Sequence, residues 1–110
     1  MKRTINEKEY ILLEWLIKHS EKKMTFDISP KMIVFECKCG CSSYDFIDKS
    51  LKSISSMEIV SDWLWETPEG YFYGVYLYLV DRKLGGVDLY SVDGKQEIHH
   101  LPNTADLYQK

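Results

Sequence analysis

The chain has 110 residues, 45% of them apolar and 28% charged, with a formal net charge of −3. That length is one domain, residues 1–110, with room for a single modest core, and the composition is that of an ordinary soluble globular protein. The acidic balance argues against nucleic-acid binding, which favours a basic face, and the apolar run 10–17, broken by Glu14, is far too short to cross a bilayer.

Met1-Lys2-Arg3 leads into Thr4-Ile5-Asn6-Glu7 and not into an apolar core, so no secretory leader is expected. Periodicity predicts a helix over 6–22. Asn6 caps it, and Glu9, three residues on, completes a capping box; Thr4 with Glu7 is a competing start. Tyr10, Leu13, Leu16 and Ile17 fall on one face at helical spacing, with Leu12 at its edge. Ile11 and Trp15 lie off that face. Either the helix is wedged between two layers or Trp15 is partly exposed.

Residues 24–31 are a connection, because Pro30 opposes both a continuous helix and a central strand. Residues 32–37 and 42–47 are predicted strands joined by Lys38-Cys39-Gly40-Cys41, where Gly40 supplies the turn. With Cys39-Gly40 as a two-residue turn, Phe35 faces Tyr44 and Ile33 faces Phe46, pairs that stabilise a hairpin. Residues 48–56 are polar and Ser-rich and read as a loop. Residues 57–66 form a strand with Met57, Ile59, Trp63 and Trp65 on one face. Glu58, Asp62 and Glu66 share the other with Val60 and Leu64.

From Trp63 to Val92 the pattern is three consecutive antiparallel strands joined by tight turns, the first at Thr67-Pro68-Glu69-Gly70. Val75, Leu77 and Leu79 make one face of the middle strand; Phe72, Tyr76, Tyr78 and Val80 make the other. A strand apolar on one side needs one partner layer. This one is apolar or aromatic on both, so its second face is either covered or used for binding. A three-residue loop, Asp81-Arg82-Lys83, sets Leu77 opposite Val87 and Val75 opposite Leu89. It also sets Tyr76 beside Asp88, Tyr78 beside Gly86 and Gly74 beside Tyr90. A two-residue loop would put Leu77 against Asp88, a costly burial. Asp93-Gly94 is a turn, 95–101 a candidate short edge strand, and Pro102 onward a surface tail. The expected fold is α+β, an N-terminal helix packed on an antiparallel sheet of about five strands: 32–37, 42–47, 57–66, 71–80 and 84–92. Leu13, Leu16, Ile17, Val75, Leu77, Val87 and Leu89 share its core.

Three cysteines within the span 37–41 do not make a disulfide framework and fit a reducing compartment, so a cytoplasmic protein is expected. Cys37, Cys39 and Cys41 with His99 carry zinc-type ligand chemistry. The Cys-x-Cys-x-Cys spacing is not the common knuckle and no second pair follows, so small thiols around a glycine turn is the favoured reading, with no metal and no cofactor. A cysteine nucleophile needs a nearby base, and no local pattern ties His19, His99 or His100 to a Cys. The better signal is aromatic. Tyr and Trp number eight and three, and such side chains anchor interfaces. The candidate partner-binding residues are therefore Glu58, Asp62, Glu66, Tyr76, Tyr78, Asp88 and Tyr90.

Cys39-Gly40-Cys41, the stretch Leu84-Gly85-Gly86-Val87-Asp88-Leu89-Tyr90-Ser91, and Leu101-Pro102 give the chain a resemblance over 32–102. It looks like a family of small, uncharacterised bacterial proteins with a CGC turn after the first strand and an L-S-x-L-E-V-Y-S strand followed by proline. Here Gly85 stands for the small polar residue and Asp88 for the glutamate. Some bacterial domains of this size and acidity resemble immunity proteins, which implies neutralisation of a toxin and brings no catalytic residues. The expectation is a small intracellular protein-binding domain, an immunity protein whose partner is a basic toxin domain. The alternatives are a self-associating structural or regulatory module, a homodimer, and, less favoured, a small zinc-binding or Cys-dependent enzyme.

Overall fold

Strand alternation over 57–92 produces the three longest strands of a single sheet, and the rest of the chain is arranged around them. A computed structural model describes residues 2–21, 25–36, 42–47, 57–94, 98 and 100–109. In chain order the elements are β1 (Lys2–Thr4), α1 (Glu7–Lys18), β2 (Ile33–Glu36), β3 (Tyr44–Asp45), β4 (Met57–Glu66), β5 (Phe72–Val80) and β6 (Lys83–Ser91), with a 3-10 turn at Thr104–Asp106. The sheet is antiparallel in the order β1-β2-β3-β6-β5-β4. The fold is α+β, one helix on one antiparallel sheet. The sheet has six strands, one more than expected.

The additional strand is β1, which pairs Lys2, Arg3 and Thr4 with Phe35, Val34 and Ile33. Three polar residues have no readable alternation; the ion pairs of Arg3 with Glu9 and Glu36 hold them. The Arg3 guanidinium donates to both carboxylate oxygens of Glu9, each at 2.6 Å, and also to Glu36. Glu9 at the same time completes the capping box with Asn6. One carboxylate thus fixes both the start of α1 and the edge of the sheet. It is buried, and its bidentate arginine makes that burial tolerable. These hydrogen bonds also hold Arg3 well above its usual pKa.

Helix α1 is shorter than 6–22, ending at Lys18 with His19 as C-cap. Leu12, Leu13 and Leu16 are its fully buried side chains, while Tyr10 and Ile17 are half-buried at the margin. The apolar stripe is therefore centred nearer Leu12 than periodicity predicts, because Arg3 and the cap draw Glu9 inward. Trp15 is accommodated edge-on against Trp63, with ring centres 4.6 Å apart. The helix lies over β5 and β4. Leu13, Leu16, Val75, Leu77, Val87 and Leu89 are buried together, as expected.

The β2–β3 register departs from expectation by one residue. Phe35 pairs with Asp45 and Glu36 with Tyr44. A one-residue slip exchanges the faces of a strand. The observed register puts Val34 and Tyr44 in the core, where the Tyr44 hydroxyl donates to the Glu9 carbonyl at 2.7 Å. The expected register would have placed Phe35, and not Val34, on the side of Tyr44. The turn at Lys38–Cys41, the loop 48–56 and most of 95–101 lie outside the described residues.

The β5–β6 hairpin keeps the expected pairs Val75↔Leu89, Tyr76↔Asp88, Leu77↔Val87, Tyr78↔Gly86 and Gly74↔Tyr90. It reaches them differently. Val80 pairs with Lys83 across the two-residue turn Asp81-Arg82, and a bulge between the Tyr78 and Leu79 pairs absorbs one residue of β6, Gly85. Both turn residues have positive φ, 51° and 67°. Such turns match the right-handed twist of the strands, and the bulge then restores the register that keeps Asp88 out of the core.

Candidate functional site

Directly paired residues of an antiparallel sheet point to the same side. The pairing therefore defines the face of β4, β5 and β6 turned away from α1, row by row. One row is Asp62–Tyr76–Asp88 and the next Leu64–Gly74–Tyr90. Glu66 pairs with Phe72, and the Val92 amide donates to the Phe72 carbonyl at 3.0 Å. None of these residues is basic. Beyond Leu64 the chain's C-terminal stretch adds Tyr108 to the same row through an isolated antiparallel bridge.

A bulge in β4 decides which carboxylates belong to this face. Ile59 pairs with Tyr78 and Ser61 with Leu77, so Val60 is the additional residue, and it is buried. The bulge reverses the alternation. Met57 and Ile59 fall on the open face while Trp63 and Trp65 fall on the helix face, so the four do not share a side as expected. Glu58 pairs with the core residue Leu79, which separates it from Asp62 and Glu66. Val60 likewise leaves Leu64. A bulge has no residue requirement other than local backbone freedom, and nothing in Ile59-Val60-Ser61 announces it.

The three tyrosines of this face have different fates. Tyr78 is fully buried. A Cβ on Gly85 would come within 2.5 Å of the Tyr78 ring and one on Gly86 within 2.8 Å of its hydroxyl, so the side chain occupies the space these glycines leave. Its hydroxyl donates to Asp45. Burial first, and this hydrogen bond second, hold its phenol far above the ordinary range. Tyr78 is a structural residue, with no surface to offer a partner. Tyr76 is half-buried and donates to Asp88 Oδ2 at 2.7 Å, and it too is raised by burial and by that bond. Tyr90 is 37% exposed, and its ring lies across Gly74, where a Cβ would sit 2.1 Å from Cζ. Burial and the neighbouring Asp62 raise its phenol.

Asp62 and Tyr90 border an open depression of about 790 Å³ at the C-terminal end of β4. Its apolar lining is Leu64, Phe72, Tyr90, Val92 and Tyr108; its polar lining is Glu21, Asp62 and Gln109. Neither Glu21 nor Asp62 makes an ion pair among the described residues. Partial desolvation raises the Asp62 pKa, and the Glu21 charge raises it further. Glu21, Leu64, Phe72, Val92, Tyr108 and Gln109 are absent from the expected set. They come from three separate parts of the chain, and the bridge that joins Tyr108 to Leu64 has no sequence signature.

The outer edge of β4 is closed by the same segments. The Glu21 amide donates to the Val60 carbonyl at 2.9 Å and the Gln109 side chain to the Asp62 carbonyl at 3.2 Å; Leu64 and Tyr108 exchange backbone bonds of 2.8 and 2.9 Å.

Among the described residues no group of three His, Cys, Asp or Glu is placed to hold a metal ion. Cys37, Cys39, Cys41 and His99 lie outside the described residues. No described helix is long and apolar enough to cross a membrane. No protein-family model, curated protein or solved structure matches the chain.

Proposed function

We propose that the protein is a protein-binding domain whose contact surface is the face of β4, β5 and β6 turned away from the helix. The observation that carries this reading is the exposure there of Phe72 (47%) and Val92 (53%) beside Tyr90, bordered by Asp62, Glu66 and Asp88. A contiguous apolar patch with a polar rim marks an interaction surface, and the uniform sign of the rim favours a basic partner. Self-association through this face would bring the carboxylates of one copy against those of the other. Self-association along β4 would have to displace the contacts that close its edge. The narrower form of the reading is an intracellular immunity protein that blocks a basic toxin domain. It is supported by small size, net acidity and the resemblance of residues 32–102.

The test is affinity capture from source-cell extract with the parent protein and with Phe72→Glu and Val92→Glu. Both changes are at exposed positions, and circular dichroism verifies their folding. A basic protein retained by the parent and lost by both variants at equal loading is the expected result. Equal retention by all three would remove this face as the interface, and retention of nothing would remove the protein-partner reading.

A further inference from the structure

We infer that the depression beside Tyr90 and Asp62 is a receptor for an arginine side chain of the partner protein, a deepening that rests on the protein-binding reading. Three features of the site agree on a guanidinium. Phe72, Tyr90 and Tyr108 supply aromatic surface within one depression, and a guanidinium stacks on such rings with a favourable cation–π term. Glu21 and Asp62 supply two carboxylates without an ion pair among the described residues. They lie close enough for the Glu21 charge to perturb Asp62. Two adjacent anions repel until a cation sits between or beside them, and a planar fork of donors can serve both, which a lysine ammonium does less well.

The surroundings narrow the mode of binding. The carbonyls of Val60 and Asp62 and both backbone groups of Leu64 are already bonded to Glu21, Gln109 and Tyr108. A partner strand therefore cannot add to β4 at this point, so recognition proceeds by side-chain insertion and not by strand pairing. The volume of about 790 Å³ exceeds one side chain. It leaves room for the aliphatic stem on Leu64 and Val92 and for flanking residues of an extended segment.

The probe is a capped pentapeptide, acetyl-Gly-Arg-Gly-Arg-Gly-amide, titrated into isotope-labelled protein and followed by NMR. Control peptides replace Arg by Lys or by citrulline, the uncharged isostere. Saturable shifts of the Phe72, Tyr90 and Tyr108 ring resonances are expected with the arginine peptide, weaker ones with lysine and none with citrulline. Asp62→Asn and Glu21→Gln should each weaken the arginine peptide by about tenfold, the size of one lost charge-assisted hydrogen bond. Equal binding of the citrulline peptide, shifts confined to another surface, or indifference to both variants would overturn the inference. Its failure is separable from that of the broader reading. If Phe72→Glu abolishes capture of the partner while Asp62→Asn and Glu21→Gln leave it unchanged, the interface stands and the arginine receptor falls. If the peptide binds as expected and no partner is captured, the receptor stands and the choice of macromolecular partner falls.

Discussion

Asp62 shows how a single residue can be kept at a cost to the fold. Its carboxylate is partly desolvated by the groove and stands in the field of Glu21, both of which raise its pKa above the usual 3.8. A carboxyl whose pKa rises on folding binds its proton more tightly in the native state. It therefore contributes stability below the unfolded pKa, and that contribution is lost as pH rises through the folded one. At neutral pH the ionised group opposes folding. Asp62→Asn should accordingly raise the melting temperature at pH 7. The gain should shrink as pH falls from above the raised value to below the ordinary carboxylate value of about 4. Thermal melts of parent and variant across that window test this; a gain independent of pH, or a loss at pH 7, would contradict the assignment. Much of the chemistry of this face was legible in residue types. Asp62, Glu66, Tyr76, Asp88 and Tyr90 do share it. Tyr78 could not be told from its neighbours by alternation. What separates it is the pair Gly85-Gly86, whose missing side chains make the hollow it fills, and that requires knowing which strand lies alongside.

At the scale of the element, the β5–β6 hairpin combines a turn and a bulge that cannot be separated. The residue Arg82, at φ 67°, sits in the left-handed region without a glycine, where an L side chain costs roughly 1–2 kcal/mol. Arg82→Gly removes that strain and adds unfolded-state entropy, so a net gain of about 1 kcal/mol is expected. Gly85→Ala should act in the opposite sense, because its Cβ would meet the buried Tyr78 ring at 2.5 Å and Val80 Cγ2 at 3.0 Å. Urea unfolding of both variants gives the comparison, and a destabilised Arg82→Gly would show that the arginine side chain has a role beyond the turn. The register of this hairpin was readable because the alternative would bury Asp88, an argument that holds whatever the loop. The loop length was not readable, since a three-residue loop and a two-residue turn followed by a bulge give the same pairs beyond Gly86. The same ambiguity reversed the faces of 57–59 in β4 and shifted β2 against β3. Burial energies select faces, and a bulge or slip changes faces without changing composition.

For the whole molecule, the helix-on-sheet architecture followed from one amphipathic helix and a run of alternating strands, while the closure of the sheet did not. Both outer strands depend on distant segments: β1 is pinned through Arg3 to Glu9 and Glu36, and β4 is covered by Glu21, Tyr108 and Gln109. Apart from Arg3 and Glu9, six positions apart, these contacts join residues 33 to 47 positions apart and leave no periodic trace. A ten-residue edge strand with free amides and carbonyls invites pairing with another chain, so the C-terminal stretch carries a protective role apart from any part in binding. Tyr108→Pro tests that role. Proline has no amide to give the Leu64 carbonyl, whereas the buried Leu107, one residue earlier, is left in place. The variant should retain its far-ultraviolet circular dichroism and lose part of its stability. It should also form dimers or larger species that grow with concentration in light scattering after gel filtration. Tyr108→Phe keeps the amide and the ring, and it should remain as monodisperse as the parent. If Tyr108→Pro stays monodisperse under conditions where it is folded, the bridge to Leu64 is not what keeps β4 from pairing. The contacts of Glu21 and Gln109 would then be the ones to remove.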